Sequence, residues 1–305
     1  MVGSVNADYT VRIEHLPQPG ETVTGGRLEI LPGGKGGNQA HAAARLGARV
    51  TLVAALGQDV TGEQARADLT AAGIDTGALV RDPAPSGVAV ILIDSAGENM
   101  IAVAPGANEQ LTPARVDHAL AQPARVTAGT VVLASLEVPL SSVSAAAAVV
   151  AGTDGAALIV NPAPGQPLPA DLIRGAILTP NEGELLRLPP AGSPAGAAEP
   201  AAVSYLLEAG AAALIVTRGS RGATLFRAGH DPADFPAPRI KVVDTVGAGD
   251  AFNGALATAL AASLPLETAV TAAVQAGAAA CTGRGARSAL PRAADVPALA
   301  RALPA

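Results

Sequence analysis

Tryptophan is absent from the chain, and only two tyrosines and three phenylalanines occur among 305 residues. A core without large rings must be built from Ala, Val, Leu and Ile. Lysine is almost missing too, since Lys35 and Lys241 are the only two. With a formal net charge of −6, the chain offers no basic surface for nucleic acid or an anionic membrane, so a small-molecule partner is expected. Cys281 is the single cysteine, which excludes an internal disulfide and a zinc site built from thiolates. That usage suits a reducing cytoplasm. No basic segment followed by an apolar one opens the sequence, and apolar runs are cut by Gly, Pro or charge before bilayer length. Neither a signal peptide nor a membrane span is expected. His15, His41, His118 and His230 share no pairing spacing and are assigned no ligand role. The sequence Gly-x-x-x-x-Gly-Lys-Ser/Thr does not occur, nor does a well-placed Gly-x-Gly-x-x-Gly turn, so a phosphate would have to be held in another way.

What is present is a regular alternation. Residues 38–46 read as a helix, 49–56 as a buried strand, and Thr61-Gly62-Glu63-Gln64 as a capping box opening another helix. Thr112-Pro113 opens a helix, 131–136 is a strand, 141–150 a helix, 156–160 a strand, and 213–216 a further strand. Strand and helix taking turns imply an α/β fold with a mainly parallel sheet covered on both faces. Between residues 11 and 31, Pro17, Pro19, Gly20, Gly25 and Gly26 break up short β-prone runs. Residues 86–93 and 99–103 flank the hairpin signal Asp94-Ser95-Ala96-Gly97. Residues 189–200, rich in Pro, Ala and Gly, read as a surface loop, and one domain over residues 1–305 is expected.

The chain is organised around Asp244-Thr245-Val246-Gly247-Ala248-Gly249-Asp250, which reads as a strand end, a glycine turn and a helix start. The first amides of such a helix lack internal acceptors and can hold an anion. Asp250 beside that anion repels it unless the carboxylate is taking a proton, as a general base would. Read alone, it could equally be an acid favouring a helix N-terminus. Lys35, flanked by Gly33-Gly34 and Gly36-Gly37, is either a turn lysine or a cation beside a ligand. Asn6 and Asp8, alternating with Ala7, face one side of an extended chain, as groups gripping vicinal hydroxyls must. Only Met1 and Val2 precede Gly3, so the first strand looks short, through a misplaced start or a trimmed sheet edge. Glu137, at the carboxyl end of a strand, falls on the ligand rim of an open parallel sheet or is an ordinary loop acid.

Asp-Thr-x-Gly-Ala-Gly-Asp-x-Phe-x-Gly over residues 244–254 resembles the C-terminal signature of the ribokinase-like (PfkB-type) carbohydrate kinases. Gly33-Gly34-Lys35-Gly36-Gly37-Asn38-Gln39-Ala40 resembles their N-terminal signature. The resemblance implies a three-layer αβα sandwich with a small β-sheet lid from segments at about 10–33 and 86–103. It also implies an ATP-dependent sugar kinase with D-ribose as acceptor, another furanose or a non-catalytic binder on the same fold being the alternatives. Asp250 would be the base, with Gly247, Ala248, Gly249 and Asp250 forming the anion hole. Asn6, Asp8, Gly34, Lys35, Asn38 and Glu137 would bind the sugar. Asn161-Pro162-Ala163-Pro164 would position the site. Asn181, Thr217, Gly219, Gly222 and Gly249 would contact ATP, and Glu184 would reach Mg²⁺ through water. A K⁺ ion would lie on main-chain oxygens of Asp244, Val246, Ala280, Gly283 and Gly285. Ala289 stands where the family can place a serine hydroxyl, with Ser288 adjacent. A homodimer through the lid sheet follows by analogy.

Overall fold

The computed structural model describes residues 1–122 and 125–302. From the N-terminus run β1 (Asn6–Arg12), β2 (Arg27–Gly33), α1 (Lys35–Arg45), β3 (Ala55–Gly57), α2 (Val60–Ala71), β4 (Val80–Asp82), β5 (Gly87–Ile93) and β6 (Asn99–Ala104). There follow α3 (Pro113–Leu120), β7 (Val131–Ser135), α4 (Leu140–Ala151), β8 (Ala157–Asn161), α5 (Ala170–Ile173), β9 (Ile177–Leu178), α6 (Glu182–Leu185) and α7 (Glu199–Glu208). The last are β10 (Ala213–Thr217), β11 (Ala223–Phe226), β12 (Ala233–Phe235), α8 (Ala248–Ala261), α9 (Leu266–Ala280) and α10 (Pro297–Ala302).

The central sheet has the order β12-β11-β10-β9-β8-β7, with β7 to β10 parallel and β11 and β12 antiparallel. Its strands alternate, and each face finds its own core. Val132, Ala134, Val160, Leu214 and Val216 pack on one face with Val143 and Ala146 of α4 and Leu206 of α7. Leu133, Ile159, Ile215 and Leu225 pack on the other with Leu256 of α8 and Val270 of α9. The α/β sandwich expected from the alternation is therefore present. No helix among the described residues is long and apolar enough to cross a membrane.

Beyond β7 the sheet is carried on by bridges. Val2 bridges Ala134 on one side and Val53 on the other, and β3 pairs with β4. The buried strand expected over 49–56 reduces to bridges at Thr51 and Val53 and the short β3. Beside Val2 lies a cavity of about 950 Å³ whose lining includes Val50, Thr51, Val131 and Thr258. The Met1 ammonium donates to Thr51 O at 2.8 Å, and burial pushes its pKa down to about 5.

A second sheet, β2-β1-β5-β6, forms the lid. β1 joins it from Asn6 onward, earlier than the boundary near residue 10. Its register puts Asn6, Asp8 and Thr10 on one face and Ala7, Tyr9 and Val11 on the other. Tyr9 lies between Ile30 and Val90, so the second face is apolar, and Ile30 and Val90 are exposed.

Three local readings change. The strand end expected at Asp244 is absent, because β12 stops at Phe235 and residues 236–245 run as irregular chain into the glycine turn. The N-cap of α2 is Asp59 rather than Thr61, because the Asp59 carboxylate accepts from Gly62 N at 2.7 Å and also from Ser86 N and Oγ. One side chain thus caps the helix and ties it to the start of β5. The third change concerns 35–37, which form the first turn of α1 instead of a loop before a helix at 38. Gly36 must lack a Cβ there, since one would stand 2.5 Å from the Gly3 carbonyl carbon.

Candidate active site

The local sequence dictates where Asp250 sits. Gly247 caps α8 with φ 81°, in the left-handed region, and a Cβ on it would stand 2.7 Å from Ala286 O. Ala248 donates to Thr245 O at 3.3 Å. Within the run 247–250, the amides of Gly247, Gly249 and Asp250 are then without a backbone acceptor among the described residues.

Asp250 is buried and faces α1. Its Oδ1 accepts from Gln39 Nε2 at 3.0 Å and its Oδ2 from Asn38 Nδ2 at 3.1 Å. Gln39 Nε2 also donates to Asn161 Oδ1 at 2.9 Å, and Asn161 Nδ2 donates to Thr179 O. Asn161 thus steadies the group that steadies Asp250. The spacing of α1 and α8 is set by small residues: a Cβ on Gly254 would lie 2.6 Å from the Cβ of Ala42. Burial pushes the Asp250 carboxyl upward, against Lys35 and the bonds from Gln39 and Asn38, which favour the charged form.

Lys35, Glu137, Asn181 and Glu184 line one cleft of about 670 Å³, together with Val103 of the lid and Arg187. Glu137 Oε2 accepts from Lys35 N at 2.9 Å and from Ser4 Oγ. Gly34, with φ 82°, turns the chain from β2 into α1, and a Cβ on it would touch Asn6 N at 2.7 Å. Asn6 is buried, and its Oδ1 accepts from Asn108 Nδ2 at 2.8 Å, which leaves its own Nδ2 for a ligand. Asp8 responds to Glu137, Arg287, Asp250 and Lys35, so the lid face carrying Asn6 and Asp8 looks onto the same charges.

Asn181 caps α6 through a reciprocal box: its Oδ1 accepts from Glu184 N, and Glu184 Oε2 accepts from Asn181 N, both at 2.8 Å. Glu184 keeps Oε1 outside that box, and burial raises its pKa. Thr217 bridges Asn181 and opens the turn to Gly222, where Arg218 N donates to Gly222 O at 2.8 Å. The Arg218 guanidinium binds Glu199, Glu182 and Thr224 and so fixes this turn; Thr217, Gly219 and Gly222 are not among the lining of the 670 Å³ cleft.

The candidate cation loops also meet. Asp244 Oδ1 accepts from Val246 N at 3.0 Å and Oδ2 from Gly285 N at 2.9 Å, which brings 244–246 against 283–285. Ala280 O and Gly285 O each accept one backbone N–H, from Gly283 and Ala289. A carbonyl keeps a second lone pair, so the donor set suits a cation of low charge density. The adjacent Ser288 donates its Oγ–H to Arg284 O, which leaves its oxygen lone pairs uncommitted. Among the described residues no group of three or more His, Cys, Asp or Glu could hold a metal ion.

The model of the family described as "pfkB family carbohydrate kinase" matches residues 1–293. The chain belongs to that family. It is therefore a carbohydrate kinase by descent, with fold and lid to match. The chain is 35% identical over 295 residues to the ribokinase of Haemophilus influenzae, covering 95% of this chain and 94% of that protein. Among solved structures, the ribokinase of Thermotoga maritima is similar with a TM-score of 0.87 at 31% identity, covering 98% of both chains. The Arabidopsis thaliana ribokinase complexed with ribose and ATP is similar with a TM-score of 0.83 at 32% identity, covering 98% of this chain and 96% of that one.

Residue-by-residue reading missed Gln39, Asn108 and Arg287. Gln39 was within the quoted motif, adjacent to Asn38, and its neighbourhood was the available signal. Asn108 and Arg287 act over separations of 102 and 249 residues, which no local pattern carries.

The pKa of Asp8 yields a test. Burial, reinforced by Glu137, raises it from 3.8 to about 6, while Arg287 and Lys35 oppose the rise. A carboxyl raised on folding binds more protons folded than unfolded in that window, so the stability of the ligand-free protein falls as pH rises from about 4 to about 6. Asp8→Asn removes this titration. Scanning calorimetry is expected to show a higher Tm than wild type above about pH 6 and little difference near pH 4. Equal Tm values at high pH would remove the strain assigned to this carboxylate.

Proposed function

We propose that the protein catalyses D-ribose plus ATP to D-ribose 5-phosphate plus ADP, with Asp250 as general base. The observation that carries this reading is the buried Asp250 carboxylate, held by two amide donors in the first turn of α8 beside unpaired helix amides. Similarity to ribokinases along the whole chain supports ribose as the sugar. Asn6 and Asp8 grip ring hydroxyls from the lid, and Gly34, Lys35, Asn38 and Glu137 complete the pocket. Asp250 takes the proton of the primary hydroxyl as the oxygen attacks phosphorus, and the amides of Gly247, Gly249 and Asp250 stabilise the transferring charge. Lys35 acts on both Asp250 and Glu184 through space, so it bridges the acceptor and phosphate sides. Asn181, Thr217, Gly219 and Gly222 hold the nucleotide. Glu184 would hold Mg²⁺ through its waters, and the ion, bound with ATP, would supply neutralisation of the phosphate charge. The lid keeps out water, a competing acceptor. A kinase drawing on cellular ATP works in the cytoplasm.

Two further assignments belong to this reading. The carbonyls of Asp244, Val246, Ala280, Gly283 and Gly285 would hold a K⁺ ion, whose charge would order the loop that presents the Gly247 amide. The apolar outer face of the lid, with Ile30, Tyr9 and Val90 in one row, pairs with that of a second copy.

Asp250→Asn is expected to lower kcat by roughly 10²–10⁴-fold while ribose affinity, read by calorimetry, changes far less. Near-normal turnover would take Asp250 out of the mechanism. Replacing K⁺ by a large organic cation at constant ionic strength, with Mg²⁺ and ATP saturating, is expected to lower activity, and unchanged kcat and KM would discard the ion. In sedimentation velocity the wild type is expected to run as a dimer and Ile30→Lys with Val90→Lys as a monomer; a monomeric wild type refutes the pairing.

A further inference from the structure

Arg287 lies on the segment after α9 and is buried at 9% exposure. Its Nε donates to Asn38 Oδ1 at 2.8 Å, and its Nη2 donates to Gly33 O, the last carbonyl of β2, at 3.0 Å. Both acceptors are neutral. Nη1 is buried with no hydrogen-bond partner among the described residues. Asn38 in turn gives its Nδ2 to Asp250 at 3.1 Å. An amide side chain can be turned either way, and here the arginine decides: only Oδ1 can face an N–H donor, so Nδ2 must face the carboxylate. Space has been cleared for this arrangement. A Cβ on Gly37 would lie 2.4 Å from Nη2, and one on Gly33 would lie 2.0 Å from the Asp8 carboxylate. Two glycines of the 33–37 run therefore make room for Arg287 and Asp8, besides any service to a ligand.

We infer that Arg287 is a positioning residue for Asp250: its guanidinium locks the Asn38 amide toward the base and clamps the end of lid strand β2 to the 283–290 loop. The inference rests on Asp250 being the base. Lysine could not do both, because a point charge on a flexible stem lacks the planar fork that reaches two acceptors at once. The guanidinium also places a buried positive charge among the carboxylates around Asp250. Asp68 of α2, Asp8 of β1 and Asp250 of α8 act on it, and it acts on His41 of α1. Asp8 in addition feels Glu137 after β7 and Lys35 of α1. Removing the charge leaves Asp8 harder to ionise.

The test is a double-mutant cycle on the full-length enzyme with Arg287→Met, Asn38→Ala and both together, reading kcat/KM with ribose and ATP, ribose affinity and Tm. Arg287→Met alone is expected to lower kcat/KM by about 10–100-fold, but by no more than about 3-fold in the Asn38→Ala background, because the relay is already cut. The acid limb of its kcat/KM profile is expected to move to higher pH, and Arg287→Lys to restore that limb without restoring kcat. Additive losses, or an Arg287→Met enzyme within about 2-fold of wild type, overturn the inference. Should Arg287→Met not fold, Arg287→Lys in both backgrounds decides by the same criterion. Asp250→Asn separates the two readings. If that variant is active the base is wrong, whatever the cycle shows; if it is inactive and the cycle additive, only Arg287 is wrong.

Discussion

The rest of the structure depends on one costly placement, a carboxylate taken out of water at the N-terminal end of a helix. An isolated buried charge would cost several kcal/mol, and Asp250 is tolerated because two side-chain amides meet its two oxygens. Those amides must themselves be held. Gln39 is steadied by Asn161 at the end of β8, and Asn38 by Arg287 after α9. The network thus draws on α1, the central sheet, α8 and the C-terminal loop, and each must be in place before the carboxylate can be.

The lid is joined to the body by a second buried amide. Asn108 accepts from Val5 N at 2.9 Å and donates to Asn6 Oδ1 and Pro105 O, so it touches both points where the chain crosses between lid and body. Gly87 leaves the space for this, since a Cβ there would lie 2.2 Å from both Asn108 Nδ2 and Asn6 Oδ1. Asn6, which shares its lid face with Asp8, is thereby tied to the body through the same amide.

The parts legible in the sequence were those with a short-range cause. Strand alternation in 131–136, 156–160 and 213–216, the glycine turn before α8 and the hairpin at 94–97 are local, and each took the expected form. The α2 cap was misread as the box at 61–64 because Asp59 is held in place by Ser86, 27 residues away in the chain. Lys35-Gly36-Gly37 read as loop because glycine is a poor helix former, whereas packing against Gly3 and Ser4 requires it inside α1. The lid began earlier than expected because pairing of Asn6 with Gly33 and Gly87 is invisible without the third dimension. The candidate site divides the same way. Motif residues could be named one by one, but the relay from Arg287 through Asn38 to Asp250 could not.

The contact of Gly254 with Ala42 acts as a ruler for this machinery. α1 carries two of the groups that hold the carboxylate and α8 carries the carboxylate, so helix separation and hydrogen-bond length are one variable. A chain poor in aromatic residues has few bulky side chains with which to absorb a change here. Substitutions that enlarge this seam would lengthen the bonds from Gln39 and Asn38 to Asp250 without touching any of the three. The seam thus admits only the smallest side chains, since a Cβ on Gly254 would already meet that of Ala42 at 2.6 Å.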